Sequence, residues 1–220
     1  MVYLICVSTL IRRHDVTYPW KTWLPAIAAW FVAVLGLTVV GAFRGPPDAP
    51  PVGIILAVLL PVLAAVLAYR LSPTFRQSVL AFDPRELVAL HAWRMVGFGF
   101  VLLYLYGTLP GLFALPAGLG DVIAAFGALV IALQLFRGAP VSRARLLAWN
   151  VFGLADFVAA VALGVVTRET WLGNQLTSHV MGDFPLVLIP GFIVPFYVLT
   201  HLLLFVQLRR GHGYSTALST

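Results

Sequence analysis

Six stretches of almost unbroken apolar residues run along the 220-residue chain, at roughly 22–43, 52–69, 87–108, 116–136, 146–166 and 186–208. Short segments rich in proline, glycine and charge separate them. A hydrocarbon core of about 30 Å takes about 20 residues of helix to cross. In lipid each backbone amide needs a partner within its own segment, so runs of this length predict helices. The second run is the shortest and carries Pro61, so it either just crosses or is covered by its neighbours. The pattern predicts an all-α polytopic membrane protein, a bundle of six transmembrane helices within residues 22–208. Residues 1–21 precede it as a cytoplasmic or interfacial segment, and 209–220 follow as a cytoplasmic tail.

Charge orients the bundle. Eleven of the fourteen Lys and Arg residues lie in alternate gaps. Arg12, Arg13 and Lys21 precede span one, and Arg70, Arg76 and Arg85 lie between spans two and three. Arg137, Arg143 and Arg145 lie between spans four and five, and Arg209 and Arg210 follow span six. The other gaps hold only Arg44 and Arg168. Short basic loops stay cytoplasmic during insertion, so both termini are expected inside. With 10% charged residues, 61% hydrophobic residues and a mean hydropathy of +0.97, the chain falls far from soluble domains, which carry about 25% charged residues. The net charge of +6 sits in loop-sized clusters beside apolar spans. That arrangement suits anionic lipid headgroups and argues against nucleic acid, which calls for a basic stripe on a polar face. Cys6 is the single cysteine, which excludes an intrachain disulfide and CxxC motifs.

Residues 1–11 are apolar but too short to cross, and Arg12 and Arg13 follow them where a secretory signal would place charge before. They read as interfacial or partner-packed, as a partial membrane segment, or as a frayed terminus. Tyr18, Trp20, Trp23, Tyr104, Tyr106 and Trp171 are expected at headgroup level. Residues 44–51 (RGPPDAPP) read as a stiff extended outer turn. Ser72-Pro73 and Asp83-Pro84 are turn or helix-start signals. The uncharged, Gly- and Pro-rich residues 109–120 are expected to leave the membrane, or to fold back into it against protein or a water cavity. Residues 118–125 (GLGDVIAA) match 153–160 (GLADFVAA) at five of eight positions. Spans four and five run in opposite directions, so the match reads either as a trace of an inverted repeat or as chance in a Gly/Ala/Leu-rich chain.

Ionisable residues away from the span ends carry the candidate chemistry, because a charge in lipid is costly unless paired or hydrated. They are His91 and Arg94 in span three, Asp121 in span four, Asp156 in span five and His201 in span six, with Asn150 as a further polar group. Depth estimates put Asp156 at mid-membrane and Arg94 about 4–5 Å to its cytoplasmic side, within reach of an arginine stem. An Arg94–Asp156 pair is therefore expected, either as a gate or counter-ion or as a permanent tie between spans three and five. Asp121 reads as a helix cap, or as the outer member of a polar path through Asp156 and Arg94 to His91. His91 and His201 fall at similar depth, as satisfied polar groups, as proton carriers, or as ligands of haem b or a metal, with Gly97 and Gly99 leaving room for a porphyrin. His179, Asp183 and Glu169 in the outer loop match no metal-ligand spacing and read as solvated. Pro190, Gly191 and Pro195 predict a hinge in span six. The chain has no HExxH, GxSxG or Walker A motif, and its one lysine, Lys21, lies outside the spans and cannot serve a retinal Schiff base there.

The stretch beginning Trp93-Arg94 and running on through residues 110–121 (PGLFALPAGLGD) resembles uncharacterised multi-pass membrane proteins of bacterial genomes. The resemblance covers about thirty residues. It implies a bacterial inner membrane and carries no activity and no functional residue. Three functions follow as expectations: a small transport or proton-conducting protein using His91, Arg94, Asp121 and Asp156; an accessory structural subunit of a larger membrane complex; or a b-type redox subunit. Expected partners are the bilayer itself, and other membrane subunits or further copies of the chain.

Overall fold

The computed structural model describes residues 19–46, 49–168 and 176–210, and among them it is helical with no strand. Residues 1–11, Arg12, Arg13, Tyr18, Glu169, Trp171 and the tail beyond Arg210 lie outside the described residues. Among the described residues, six helices are long and apolar enough to cross a membrane. Span one is α1 (Pro19–Val39) and span two is α2 (Val52–Leu71). A short connecting helix, α3 (Pro73–Leu80), follows. Span three is composite: α4 (Pro84–Leu90), a 3-10 segment (His91–Gly97) and α5 (Phe98–Leu105). Span four is α6 (Gly111–Phe136) and span five is α7 (Arg143–Val166). Span six joins a π-helical turn (Ile189–Ile193) to α8 (Val194–Arg210).

Local chemistry sets these boundaries. Ser72 and Asp83 both start helices: Ser72 Oγ accepts from the Phe75 amide at 3.2 Å and Asp83 Oδ1 from the Arg85 amide at 2.8 Å, each with proline next. Span one ends at Val39 because Gly41, at φ 74°, turns the chain back with its amide bonded to the Thr38 carbonyl. At the other end α1 begins at Pro19, ahead of the expected residue 22. Trp20 Nε1 donates to Glu86 at 2.6 Å and Trp23 Nε1 to Ser78 at 2.9 Å, which ties the first turn to α3 and α4.

One expectation is overturned here. Residues 111–120 neither form a loop nor re-enter the membrane: they are the first ten residues of α6, started by Pro110. Pro116 is tolerated within it; Ala114, Ala117 and Gly118 form a small-residue face on which span three packs closely, and Gly120 admits span five beside it. That face continues through Ala124, Ala125, Ala128 and Ala132, so α6 is the central post, packed against α4, the 3-10 segment, α5 and α7. Span six packs on span five and receives span two on its other side. Spans one and two bury little of themselves. Leu24, Val32, Leu60, Leu63, Val96, Phe126 and Val158 are exposed on the outside of the bundle, a surface suited to lipid.

Candidate functional site

The 3-10 segment builds the site. With three residues per turn, positions three apart eclipse one another, so His91, Arg94 and Gly97 share one face. His91 and Arg94 are both buried on it. Arg94 Nε donates to Asp121 Oδ1 on span four at 2.7 Å. Its Nη2 donates to Asp156 on span five, and its Nη1 lies 3.3 Å from His201 Nε2 on span six. The guanidinium carbon sits 3.9 Å from the centre of the Phe157 ring, a cation–π contact. One side chain thus joins three helices to its own.

Helix boundaries explain why the depths agree. Span three occupies Pro84–Leu105, which puts Arg94 at its midpoint. Span four starts at Gly111, ahead of the expected residue 116, so Asp121 lies only about 4 Å outward of the middle. Asp121 is therefore no helix cap, since it sits ten residues inside α6 with its carboxylate on Arg94.

Glycines make the approach possible. A Cβ at Gly97 would overlap the Asp121 side chain, one at Gly120 the Asp156 carboxylate, and one at Gly153 the His201 ring and Arg94 Nη1. Gly97 thus clears space for Asp121, and Gly99 has nothing within 4 Å.

Below Arg94, toward the basic end, the polar chain continues. His201 Nδ1 is 2.8 Å from Asn150 Oδ1, and Asn150 Nδ2 donates to the His201 carbonyl at 3.2 Å. The His91 and His201 rings stack with centres 3.9 Å apart, and His91 Nε2 lies 3.0 Å from Thr200 Oγ1. His91 Nδ1 is buried without a partner. This geometry does not fit haem. Axial ligation needs both imidazole nitrogens aimed at an iron between the rings, with the porphyrin filling the gap, and rings in van der Waals contact leave none. Among the described residues no cluster of three or more His, Cys, Asp or Glu could hold a metal. Asp183 pairs instead with Arg44 at 3.1 Å. A layer of Val88, Leu146, Trp149, Leu204 and Leu208 then closes the bundle toward the basic end, and Trp149 Nε1 bonds the Ala124 carbonyl at 2.9 Å.

On the opposite side the cluster meets open space. A cavity of about 620 Å³ lies between spans two and three, with spans five and six as its floor. Arg94, Asp121 and Asp156 line its inner end, and Pro51, Arg168 and Ser178 its outer end. The Arg94 side chain is 1% exposed, whereas those of Asp121 and Asp156 are 16% and 8% exposed. Of the residues expected to form a hinge, Pro190 and Gly191 lie in the π turn and Pro195 in the first turn of α8, and Pro190 borders the cavity. A second cavity of about 630 Å³, between spans one, two and six, is also apolar; Tyr69 and Arg70 are its ionisable lining groups.

Thr200 and Tyr197, whose hydroxyl donates to the Leu90 carbonyl at 3.2 Å, are the partners that the sequence reading left out, and Asn150, named there without a role, is the partner of His201. A signal for Asn150 as a site residue existed. Leu146, Asn150, Gly153 and Phe157 recur at helical spacing and form the buried face of α7.

These features define a class: a polytopic α-helical membrane protein with an ionic cluster at mid-membrane on the wall of an apolar cavity. Residues 51–209 match the family described as Domain of unknown function (DUF8737), and the chain belongs to that family. The match takes in spans two to six, and with them the whole cluster. No curated protein and no solved structure matches the chain.

Proposed function

We propose that this chain is a small transport protein of a bacterial inner membrane, with both ends cytoplasmic, in which protons move through the Arg94 cluster. The observation that carries the reading is the one-sided access of the cluster: its two carboxylates line a cavity on the outer side, while apolar residues close it toward the basic end. A permanent tie between helices needs no cavity.

The charge count supplies the mechanism. One guanidinium balances one of two carboxylates. A proton arriving from the cavity on Asp156 neutralises it and releases Arg94 Nη2, so span five loosens from span three while the Arg94–Asp121 pair holds spans three and four together. His201 and Asn150 continue the hydrogen-bonded chain inward, and the hydrogen-bonded His91–Thr200 pair lies beside them with the His91 ring against that of His201. Movement of span six about the π turn opens the apolar layer to complete the path.

The test is proton uptake into liposomes carrying the purified protein and a pH-sensitive dye, driven by a potassium diffusion potential. Wild-type protein is expected to acidify the lumen well above protein-free liposomes, and Asp156→Asn to lower the rate at least tenfold while remaining monodisperse and helical. Wild-type flux no greater than the empty control overturns the reading. So does an Asp156→Asn protein that conducts normally and only unfolds at lower temperature, which is the behaviour of a structural subunit.

A further inference from the structure

The geometry points to a lipophilic organic cation as the ligand of the 620 Å³ cavity, bound in competition with the proton that enters there; this rests on the transport reading above. Three features select that class. The first is shape and wall chemistry. Ile54 and Val58 of span two, Trp93 of span three and Phe192 and Phe196 of span six make the walls apolar and aromatic. Such a surface holds a hydrophobic body and gives a cation ring faces to lie against.

The second is how the inner end is charged. All three Arg94 nitrogens are engaged, on Asp121, Asp156 and His201. Each carboxylate gives Arg94 only one of its oxygens, and both are more exposed than the guanidinium. An entering molecule therefore meets carboxylate oxygen with spare acceptor capacity, and one negative charge more than Arg94 balances. In surroundings this apolar, that excess is met by a proton or by another cation.

The third is the absence of other compensating charge at that depth among the described residues. Around Asp156 stand Arg94 and His91 from span three, Asp121 from span four, and Tyr197 and His201 from span six, while span two brings only Ile54, Ile55 and Val58. Arg168 lies twelve residues further along the chain, about 18 Å away by helical rise, and donates to the Gly45 and Ala49 carbonyls at 3.3 Å. A proton and a cation compete for one site, so the cation binds less tightly as pH falls and releases up to one proton when it binds.

The experiment compares tetraphenylphosphonium with tetraphenylborate, ions of one shape and opposite charge, by equilibrium dialysis against the purified full-length protein in detergent. Tetraphenylphosphonium is expected to bind saturably and at least tenfold more tightly than the borate, more weakly at acid pH, and with proton release in weakly buffered solution. Asp156→Asn should lose at least tenfold in affinity. Val58→Trp, which fills the cavity from span two without touching a charge, should lose binding too and guards against a folding artefact in the first variant. Equal binding of the two ions reduces the cavity to an apolar cleft and overturns the inference. Tighter binding of the borate overturns it as well, because Arg94 would then set the sign. Proton flux that persists without tetraphenylphosphonium binding sinks this inference alone; loss of both sinks the transport reading.

Discussion

Arg94 divides its three nitrogens among Asp121, Asp156 and His201, and that division ranks the cost of each substitution. Arg94→Gln leaves two carboxylates facing each other without a cation. Stripping one partner from a buried ion pair costs about 3–5 kcal/mol. Asp121→Asn or Asp156→Asn leaves the guanidinium one carboxylate, so each is expected to cost less, about 1–3 kcal/mol. Thermal unfolding in one detergent should therefore order the midpoints wild type, then either Asp variant, then Arg94→Gln; an Asp variant less stable than Arg94→Gln contradicts a cluster of one cation and two anions. The Arg94–Asp156 contact was legible in the sequence because ionisable residues are scarce in these spans and each needs a partner. The role of Asp121 was not. Pro110 and Pro116 read as loop residues, which moved the start of span four forward and carried Asp121 outward to a false helix end.

At the scale of elements, close approach depends on absent side chains. Helices α6 and α7 carry the matching segments 118–125 and 153–160 in opposite directions, and the corresponding Asp121 and Asp156 both bind Arg94. An inverted repeat is expected to present equivalent groups to a shared centre in this way. Gly153 lets α7 settle against α8 and the 3-10 segment. Gly153→Ala drives a methyl into the His201 ring and Arg94, and overpacking of this kind costs about 1–3 kcal/mol. Gly99→Ala, with nothing within 4 Å, should leave stability unchanged or raise it by up to about 1 kcal/mol. Chemical denaturation of the two variants side by side checks this; equal losses would contradict a tight approach specific to Gly153. The 3-10 segment itself could not be read from pattern. His91, Arg94 and Gly97 are three apart, which suits a 3-10 face, but spacing of three also fits one side of an α-helix. Only the presence of Asp121, Asp156 and His201 on three different helices decides between them.

At the scale of the molecule, direction gives the cavity its meaning. The six spans and their order followed from hydropathy alone, since lipid leaves few alternatives to long helices. The cavity did not, because it depends on how span two sits against span six and away from span three, and apolar side chains facing lipid look the same in sequence as those facing a cleft. Lys and Arg fall overwhelmingly at one end of the bundle; in the proposed orientation that end is cytoplasmic and the cavity mouth, near Pro51, Arg168 and Ser178, is external. If the bundle sat the other way up, the cluster would be open to the cytoplasm, and both the direction of proton entry and the source of the cation would reverse. Labelling settles the orientation. In a Cys6→Ser background, Thr108→Cys and Ala144→Cys place exposed thiols at opposite ends, after span three and at the start of span five. An impermeant maleimide added to intact cells is expected to modify residue 108, and to reach residue 144 only after lysis. The reverse result would keep the fold and the cluster and invert the transport scheme, because the apolar layer of Leu146, Trp149 and Leu204 would then face outward and hold the external side closed.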